Sequence, residues 1–237
     1  MIRAGRRVWH EARAGAVAGG FVVELDGRAI RLTDGGTLRV ATRRLAEAIA
    51  AEWARPDPGK AFGPQDIPLT RIAGTAQTRI APDPGSMIAR LSAFGATDLI
   101  CYRAAKPEAL VRREETLWQP WIDWARTELG AALSVTKGVM PVAQAAAPLA
   151  SLSRAVAACD VPALAALGNI VPALGSLVLG LAVVHERIGA AAAADCAFAD
   201  EIFQAELWGE DKAQTARRAD ISAEIAVAAQ FMALARA

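Results

Sequence analysis

The sequence has few residues of the kinds that bind metals or form disulfides: its 237 residues include two histidines and three cysteines. His10 and His185 lie far apart in the chain, and neither has a neighbour at metal-ligand spacing. Cys101, Cys159 and Cys196 stand alone among apolar residues, without a Cys-x-x-Cys pair. This pattern predicts buried thiols in a reducing compartment and no metal site.

Motifs that bind phosphates or activate nucleophiles are also missing. The sequence has no glycine-rich phosphate loop, no dinucleotide fingerprint and no G-x-S-x-G nucleophile turn. Its 26 basic and 25 acidic residues nearly cancel, to a net charge of +1, whereas binding to nucleic acid or to an anionic membrane requires a basic patch. We therefore expect no nucleotide, no other cofactor, no nucleic acid and no catalytic residue.

A long uncharged run, residues 161–184, has by count the length of a membrane span. However, Pro162, Asn169 and Pro172 interrupt it. Pro162 is suited to the first turn of a helix, Gly168 to the end of that helix, and Pro172 to the start of a second one. We predict two short buried helices here and no insertion into a membrane.

Strand patterns come first in the chain. Residues 21–25 and 28–32 are two strand-like runs joined by Asp26-Gly27. An Asp-Gly pair in this position is a strong signal for a hairpin, because a type I′ turn needs positive φ at both central residues. Thr42 can then cap a helix whose apolar stripe is Leu45, Ile49 and Trp53.

A break rich in proline and glycine, residues 55–60, separates this part from the rest of the chain. The remainder is predicted to be mostly helical, in keeping with an apolar fraction of 54% that is largely alanine. We predict an α+β protein with a small β-rich N-terminal domain that has one helix, residues 1–58, and a larger all-helical C-terminal domain, residues 59–237. Within the second domain, we interpret the neighbouring Trp118, Trp121 and Trp124 as core anchors.

The stretch Asp200–Asp211 is the leading candidate for a functional surface, since it has five carboxylates and no basic residue. An amphipathic helix that ends at Gly209 is predicted by the recurrence of apolar residues at Phe198, Ile202, Phe203 and Leu207. Glu201, Gln204 and Trp208 then lie along one side of this helix. Two interpretations stay open: a solvated acidic face with Trp208 in the core, or a surface on which an indole and fixed charges meet a partner.

Five motifs follow one another along the chain: Gly19–Phe21 with Leu25–Arg28, Pro68–Ala73, Asp98–Arg103, Trp118–Ala125, and Asp200–Gln204 with Trp208–Glu210. Together they resemble the F1-ATPase assembly chaperone family that binds the F1 α subunit. The resemblance extends from about Arg7 to the end of the last predicted helix.

The resemblance implies a β-rich N-terminal domain, a helical C-terminal domain and a task that is not enzymatic. That task is to hold the free F1 α subunit until the catalytic β subunit replaces the chaperone. An acidic residue in the C-terminal motif is important in this family, and its position in the motif carries this role onto Glu201, with Glu206 as second choice. The expected partner surface is therefore Glu201, Gln204, Glu206 and Trp208.

Two other functions stay open at this point: a protein-interaction module with another client, or a small hydrolase or transferase whose site no motif shows. The strand pattern begins almost at the start of the chain and leaves little room for a removable leader. We expect a bacterial cytoplasmic protein, or a mitochondrial matrix protein if the source is eukaryotic.

Overall fold

The chain opens with a small antiparallel sheet centred on one strand. In the computed structural model, which describes residues 5–138 and 140–236, the strands are β1 (Gly5–Arg6), β2 (Ala12–Val17), β3 (Gly20–Leu25), β4 (Arg28–Ala29), β5 (Arg39–Val40), β6 (Ala61–Phe62), β7 (Tyr102–Arg103) and β8 (Thr136–Lys137). β3 pairs with β2 along one edge and with β4 and β5 along the other. β1 pairs with β6, and β7 pairs in parallel with β8.

The turn between β3 and β4 is the predicted Asp-Gly hairpin turn. Asp26 and Gly27 have φ values of 47° and 78°, as a type I′ turn requires. The Asp26 carboxylate also accepts hydrogen bonds from the backbone N–H groups of His10 and Glu11. The bond from Glu11 is the main reason that the pKa of Asp26 is lowered. The hairpin prediction is confirmed.

Helices make up most of the rest of the chain. They are α1 (Arg43–Ala54), α2 (Pro68–Thr75), α3 (Pro84–Ser92), α4 (Glu108–Glu128), α5 (Ala146–Ala157), α6 (Val161–Leu174), α7 (Leu177–Val184), α8 (Ala190–Ala197), α9 (Ala199–Trp208) and α10 (Lys212–Arg236). A π-helical segment, Ala76–Ile80, directly continues α2. The α+β fold class, with β structure first and helices after it, is confirmed.

The chain forms two compact units. The first comprises the residues through Pro84, together with Val161–Ala166 and the end of the chain from Val227. The second comprises Gly85–Asp160 and Leu167–Ala226. A boundary after residue 58 between independently folding domains stays a prediction.

The first unit has its core between the sheet and α1. Thr42 caps this helix as predicted, because its Oγ1 accepts a hydrogen bond of 3.2 Å from the backbone N–H of Leu45. The predicted apolar stripe of α1 is buried. The indole of Trp53 also contacts the rings of Trp9 and Phe62, with centroid distances of 5.1 and 5.5 Å. Such aromatic contacts add to the stabilisation from burial alone.

The uncharged run 161–184 forms two helices, α6 and α7, but it breaks later than predicted. Gly168 lies inside α6 and makes room for a side chain, since a Cβ at this position would lie 3.1 Å from Met87 Cε. Pro172 is in the last turns of α6, and the chain turns at Gly175, where φ is 64°. Ser176 then caps α7. Of the helices in the described ranges, none has both the length and the hydropathy needed to cross a membrane.

The second unit is built around α4 and α7. Trp118 is buried and donates a hydrogen bond of 2.7 Å from Nε1 to the Cys196 carbonyl, so its prediction as a core anchor is confirmed. Trp121 and Trp124 are only half-buried. Asp98 is fully buried and accepts a hydrogen bond of 2.9 Å from the backbone N–H of Val178, in the first turn of α7. Burial raises the pKa of Asp98 to about 6.

Candidate functional site

The predicted partner surface lies on α9, which forms largely as the apolar spacing predicts. Phe203 is buried and Ile202 half-buried, and the helix ends at Gly209, where φ is 96°. A positive φ at this point is accessible to glycine at low cost. Leu207 was expected on the buried stripe, but it is 57% exposed. That expectation is wrong because burial along α9 ends at Ala205, one turn before the helix does.

Trp208, the last residue of α9, is 78% exposed. The interpretation that places this indole in the core is therefore wrong. Trp208 and Leu207 together form an exposed apolar pair, here called the apolar tip. Large apolar side chains that stand next to each other in solvent are typical of surfaces that bind a partner.

Glu206 is held by an arginine from another helix. Its Oε2 lies 2.6 Å from Nη2 of Arg113 on α4, and the Glu206 side chain stays about half exposed. The Arg113 guanidinium also lies over the ring of Phe203, 5.3 Å from its centroid. The Arg113 guanidinium thus contacts both the buried Phe203 and the half-exposed Glu206 of α9. This arrangement fixes the helix just before the apolar tip.

Glu201 is paired with arginines of α10. Its Oε1 lies 2.5 Å from Nη2 of Arg217, and its Oε2 lies 3.9 Å from Nη1 of Arg218. The Oε2 and Nη1 atoms of this second contact are both buried without a hydrogen-bond partner. About a third of the Glu201 side chain is exposed. The carboxylate therefore has an internal partner, and a second cation at this site would compete with Arg217 for it.

The remaining polar groups of the surface are more accessible. Gln204 is exposed, and its amide Nε2 donates a hydrogen bond of 2.8 Å to Asp200 on the preceding turn. Asp211 accepts from the backbone N–H of Ala213, 2.8 Å away, at the start of α10. Glu210 is exposed and has no hydrogen bond or ion pair within residues 5–138 and 140–236. After Gly209, the apolar tip is thus followed by the two carboxylates of Glu210 and Asp211.

The residues predicted to contact a partner did not include Leu207, which was expected on the buried stripe, or Glu210, although both lie in the candidate stretch Asp200–Asp211. A glycine directly after Trp208 predicts the helix end, but it does not show how far along the last turn the burial extends. All four predicted residues, Glu201, Gln204, Glu206 and Trp208, lie on the single helix α9. The arginines that pair with two of them could not be assigned from spacing within the motif.

Two of the three cysteines are buried. Burial raises the pKa of the Cys101 thiol to about 12, and burial also raises the pKa of Cys196. A thiol with a raised pKa is a poor nucleophile at neutral pH. In residues 5–138 and 140–236, no three histidine, cysteine, aspartate or glutamate side chains are grouped so that they could hold a metal ion.

Comparison with known proteins gives concordant matches. The sequence matches the family described as ATP12 chaperone protein over residues 6–126. The structure is similar to that of Atp12 from Paracoccus denitrificans, with 42% sequence identity, 98% of each chain covered and a TM-score of 0.90. A Paracoccus denitrificans Atp12p variant, in which lysine replaces one aspartate, matches with the same values. The Atu1473 protein of Agrobacterium tumefaciens is 32% identical, with a TM-score of 0.88 over 97% of this chain and 85% of that one.

Proposed function

This chain belongs to the ATP12 chaperone family, and we propose that it holds the free F1 α subunit until the β subunit replaces it during assembly of the F1 sector of ATP synthase. The family match supports the role of an assembly chaperone. The α subunit as client, and its exchange for the β subunit, are what the family resemblance carried by the five sequence motifs implies. We also propose that the chain is not an enzyme and works in a bacterial cytoplasm, or in the mitochondrial matrix if its source is eukaryotic.

The observation that carries this proposal is the apolar tip of α9. A subunit that has not yet assembled exposes apolar surface that it will later bury, and such surface aggregates. Leu207 and Trp208 are among the few large apolar side chains exposed in the described residues. An indole that becomes buried in a recess of the client would be a strong anchor, because tryptophan is enriched among the residues that dominate binding energies.

The carboxylates around the tip determine the kind of client surface that fits it. Glu210 presents an unpaired carboxylate after the apolar tip in the described ranges, and Glu206, which is half exposed but paired with Arg113, precedes it. We therefore propose that the client recess has a lysine or arginine at its edge near Glu210. Charges at a rim contribute more to specificity and to the rate of encounter than to affinity. Such an interface can be specific and still release its client to a partner that buries more surface.

Glu201 has a different role in this proposal. Because its carboxylate is bound to Arg217, we propose that a basic group of the client exchanges with Arg217. A net gain from this exchange is small, since one ion pair replaces another. Gln204, which is exposed one turn further along α9, would contribute a neutral hydrogen bond. We propose that the four predicted residues of α9 act together in binding the client, with Trp208 as the anchor.

The proposal is tested by the aggregation of purified F1 α subunit, followed by light scattering. We expect this chain to suppress aggregation at equimolar concentration, and we expect added β subunit to take the α subunit from it. A variant with both Leu207→Ser and Trp208→Ser should lose the suppression and keep its far-UV circular dichroism. If the wild-type chain leaves the aggregation of α unchanged, the α subunit is not its client. If β cannot displace the chain, the exchange step is wrong.

The absence of nucleotide chemistry is tested separately. We expect no heat of binding when ATP with magnesium is titrated into the chain in a calorimeter. A saturable titration with ATP would contradict a role as a chaperone without a nucleotide cycle. The same experiment with the chain bound to α would show whether the client brings a nucleotide site with it.

A further inference from the structure

The Pro68–Ala73 motif has no place in the proposed client surface, but it lines a pocket in the first unit. The pocket has a volume of about 150 Å³. Its lining combines two arginines, four threonines, a leucine and a glycine: Leu32, Thr33, Thr70, Arg71, Gly74, Thr75, Thr78 and Arg79.

The first wall of the pocket is rigid because α2 is capped by a carboxylate from α1. Glu52 is buried and accepts hydrogen bonds from the backbone N–H groups of Leu69 and Thr70, at 2.6 and 3.0 Å. The Thr70 hydroxyl donates to the same carboxylate, 2.9 Å away, and accepts from Trp53 Nε1, 3.0 Å away. This network fixes the start of α2, and it uses the only hydrogen-bond donor of the Thr70 side chain. Arg71, the next residue, is exposed at the pocket.

The second wall is an irregular helical segment. α2 passes directly into the π-helical turn Ala76–Ile80, closed by a hydrogen bond of 2.8 Å from Ala81 N–H to the Ala76 carbonyl. Turns of this kind are rare and occur frequently at functional sites. The Thr78 hydroxyl donates a bond of 2.8 Å to the Gly74 carbonyl. The wide turn thus places Arg79 at the same pocket as Arg71.

A glycine allows the neighbouring loop to close the pocket. A Cβ at Gly74 would lie 3.1 Å from Leu32 Cδ2, so a larger residue would push away the segment after β4. The loop residues Leu32 and Thr33 line the side opposite α2. The close approach therefore depends on the absence of a side chain at position 74.

The charged side chains that line the pocket in the described ranges are both positive. Arg71 and Arg79 are exposed, and within residues 5–138 and 140–236 neither has an ion pair or a side-chain hydrogen bond. No carboxylate is among the residues that line the pocket in the described ranges. Some other arginines of the same unit are paired, for example Arg13 with Glu24 and Arg43 with Glu47. Two unpaired guanidinium groups at one small pocket favour an anion.

We propose that this pocket binds a single oxyanion group, a phosphate or a carboxylate, between Arg71 and Arg79. A guanidinium binds such groups through paired N–H donors, which makes arginine the usual residue for their recognition. The volume of about 150 Å³ lies below the roughly 300 Å³ at which pockets for drug-sized ligands begin. The group is therefore bound alone, as a free ion or as the end of an acidic side chain of another protein, and not as part of a buried nucleotide.

The test is a titration of the isotope-labelled full chain, followed by amide chemical shifts. One arm uses inorganic phosphate and the other uses acetate, both at constant ionic strength. We expect saturable shifts at Gly74 and along the π-helical turn. Arg71→Gln or Arg79→Gln should each weaken binding by about tenfold, as expected for the loss of one charge-assisted hydrogen bond. Arg71→Lys should weaken it less, since the charge remains.

The matched control is Arg44→Gln, because Arg44 is also exposed on a helix of the same unit. In the described ranges it has no ion pair or side-chain hydrogen bond, and it does not line the pocket. It should leave binding unchanged. Much tighter binding of phosphate than of acetate would identify a phosphate group as the natural ligand, and equal binding would identify a carboxylate. Shifts that do not saturate with either anion, or that weaken equally in the Arg44 variant, would overturn the proposal. No client protein enters this test, so its outcome is independent of the proposed chaperone function.

Discussion

Replacing Trp208 with alanine is the most informative single change to the proposed client surface. The indole is 78% exposed in the free chain, so most of its surface is available for burial against a client. A tryptophan side chain buries about 150–250 Å² when it is covered. At about 25 cal/mol per Å² this corresponds to an upper limit of roughly 4–6 kcal/mol.

Part of this gain is offset when the side chain and its recess become ordered, and measured anchors commonly contribute about 2–4 kcal/mol. We therefore expect the dissociation constant of the complex with purified F1 α subunit to rise about 30- to 1000-fold in Trp208→Ala. The free energy of unfolding of the free chain should change by less than about 0.5 kcal/mol, because the side chain is exposed. Binding is measured by anisotropy of the labelled chain, and unfolding by urea titration.

The control is Met140→Ala, since Met140 is 71% exposed in the same unit but outside α9. This variant should bind the α subunit as the wild type does. If Trp208→Ala also binds within about threefold of the wild type, which is only about 0.7 kcal/mol, the indole is not the anchor. Equal losses of affinity in both variants would indicate nonspecific binding by exposed apolar side chains, and would refute a specific client surface.

Three further predictions concern the second unit. Because the pKa of Asp98 is raised to about 6, the folded state binds the Asp98 proton more tightly than the unfolded state does. Protonated Asp98 therefore stabilises the fold below pH 4, and this contribution is lost as the pH rises through about 6. Asp98→Asn should remove this pH dependence from the free energies of urea unfolding, and an unchanged pH profile would contradict the assignment. Gly180→Ala would place a Cβ 2.6 Å from Val171 Cγ2 and should destabilise the chain by about 1–3 kcal/mol. Gly189→Ala is the control and should not destabilise it, because nothing lies within 4 Å of a Cβ at that position. Equal thermal unfolding midpoints for the two variants would refute the close packing at Gly180. Of the three thiols only that of Cys159 is not fully buried, so mass spectrometry after brief alkylation of the native chain should find a single label there, and rapid labelling of the other two would contradict their burial.

Local sequence signals predicted the elements whose cause is local. The turn at Asp26-Gly27 follows from the backbone freedom of two adjacent residues, and the start of α1 follows from one hydroxyl at Thr42. Both signals act within a few residues, so the sequence is sufficient to read them. The buried stripe of α1 follows in the same way from the spacing of apolar side chains.

The elements that were placed wrongly depend on contacts from distant parts of the chain. Gly168 has the residue type of a helix end, but α6 continues through it because the missing side chain makes room for Met87. Leu207 has the spacing of a buried residue, but burial along α9 stops before its last turn. Periodicity identifies the face of a helix that packs against the core, and it does not show how far along the helix that core extends.

The candidate surface was found from sequence, but its electrostatics were not. The ion pair between Glu206 and Arg113 joins residues from α9 and α4, which are far apart in the chain. The pairing of Glu201 with Arg217 crosses the turn between α9 and α10. A cluster of carboxylates without nearby basic residues in sequence therefore acquired its cations through folding. The proposed anion pocket at Arg71 and Arg79 was not predicted, because no sequence pattern shows that two arginines have no ion pair in the fold.

The proposal that the apolar tip of α9 binds the F1 α subunit is tested most directly by cross-linking from position 208. Benzoylphenylalanine, a photoreactive aromatic residue, would replace Trp208 in the full chain, and the same residue would replace Met140 in the control. After irradiation with purified F1 α subunit, we expect a cross-linked product from position 208 but not from position 140. The product should disappear when excess β subunit is added before irradiation. A cross-link to α that forms equally from position 140, or no cross-link from position 208, would contradict the assignment of this surface.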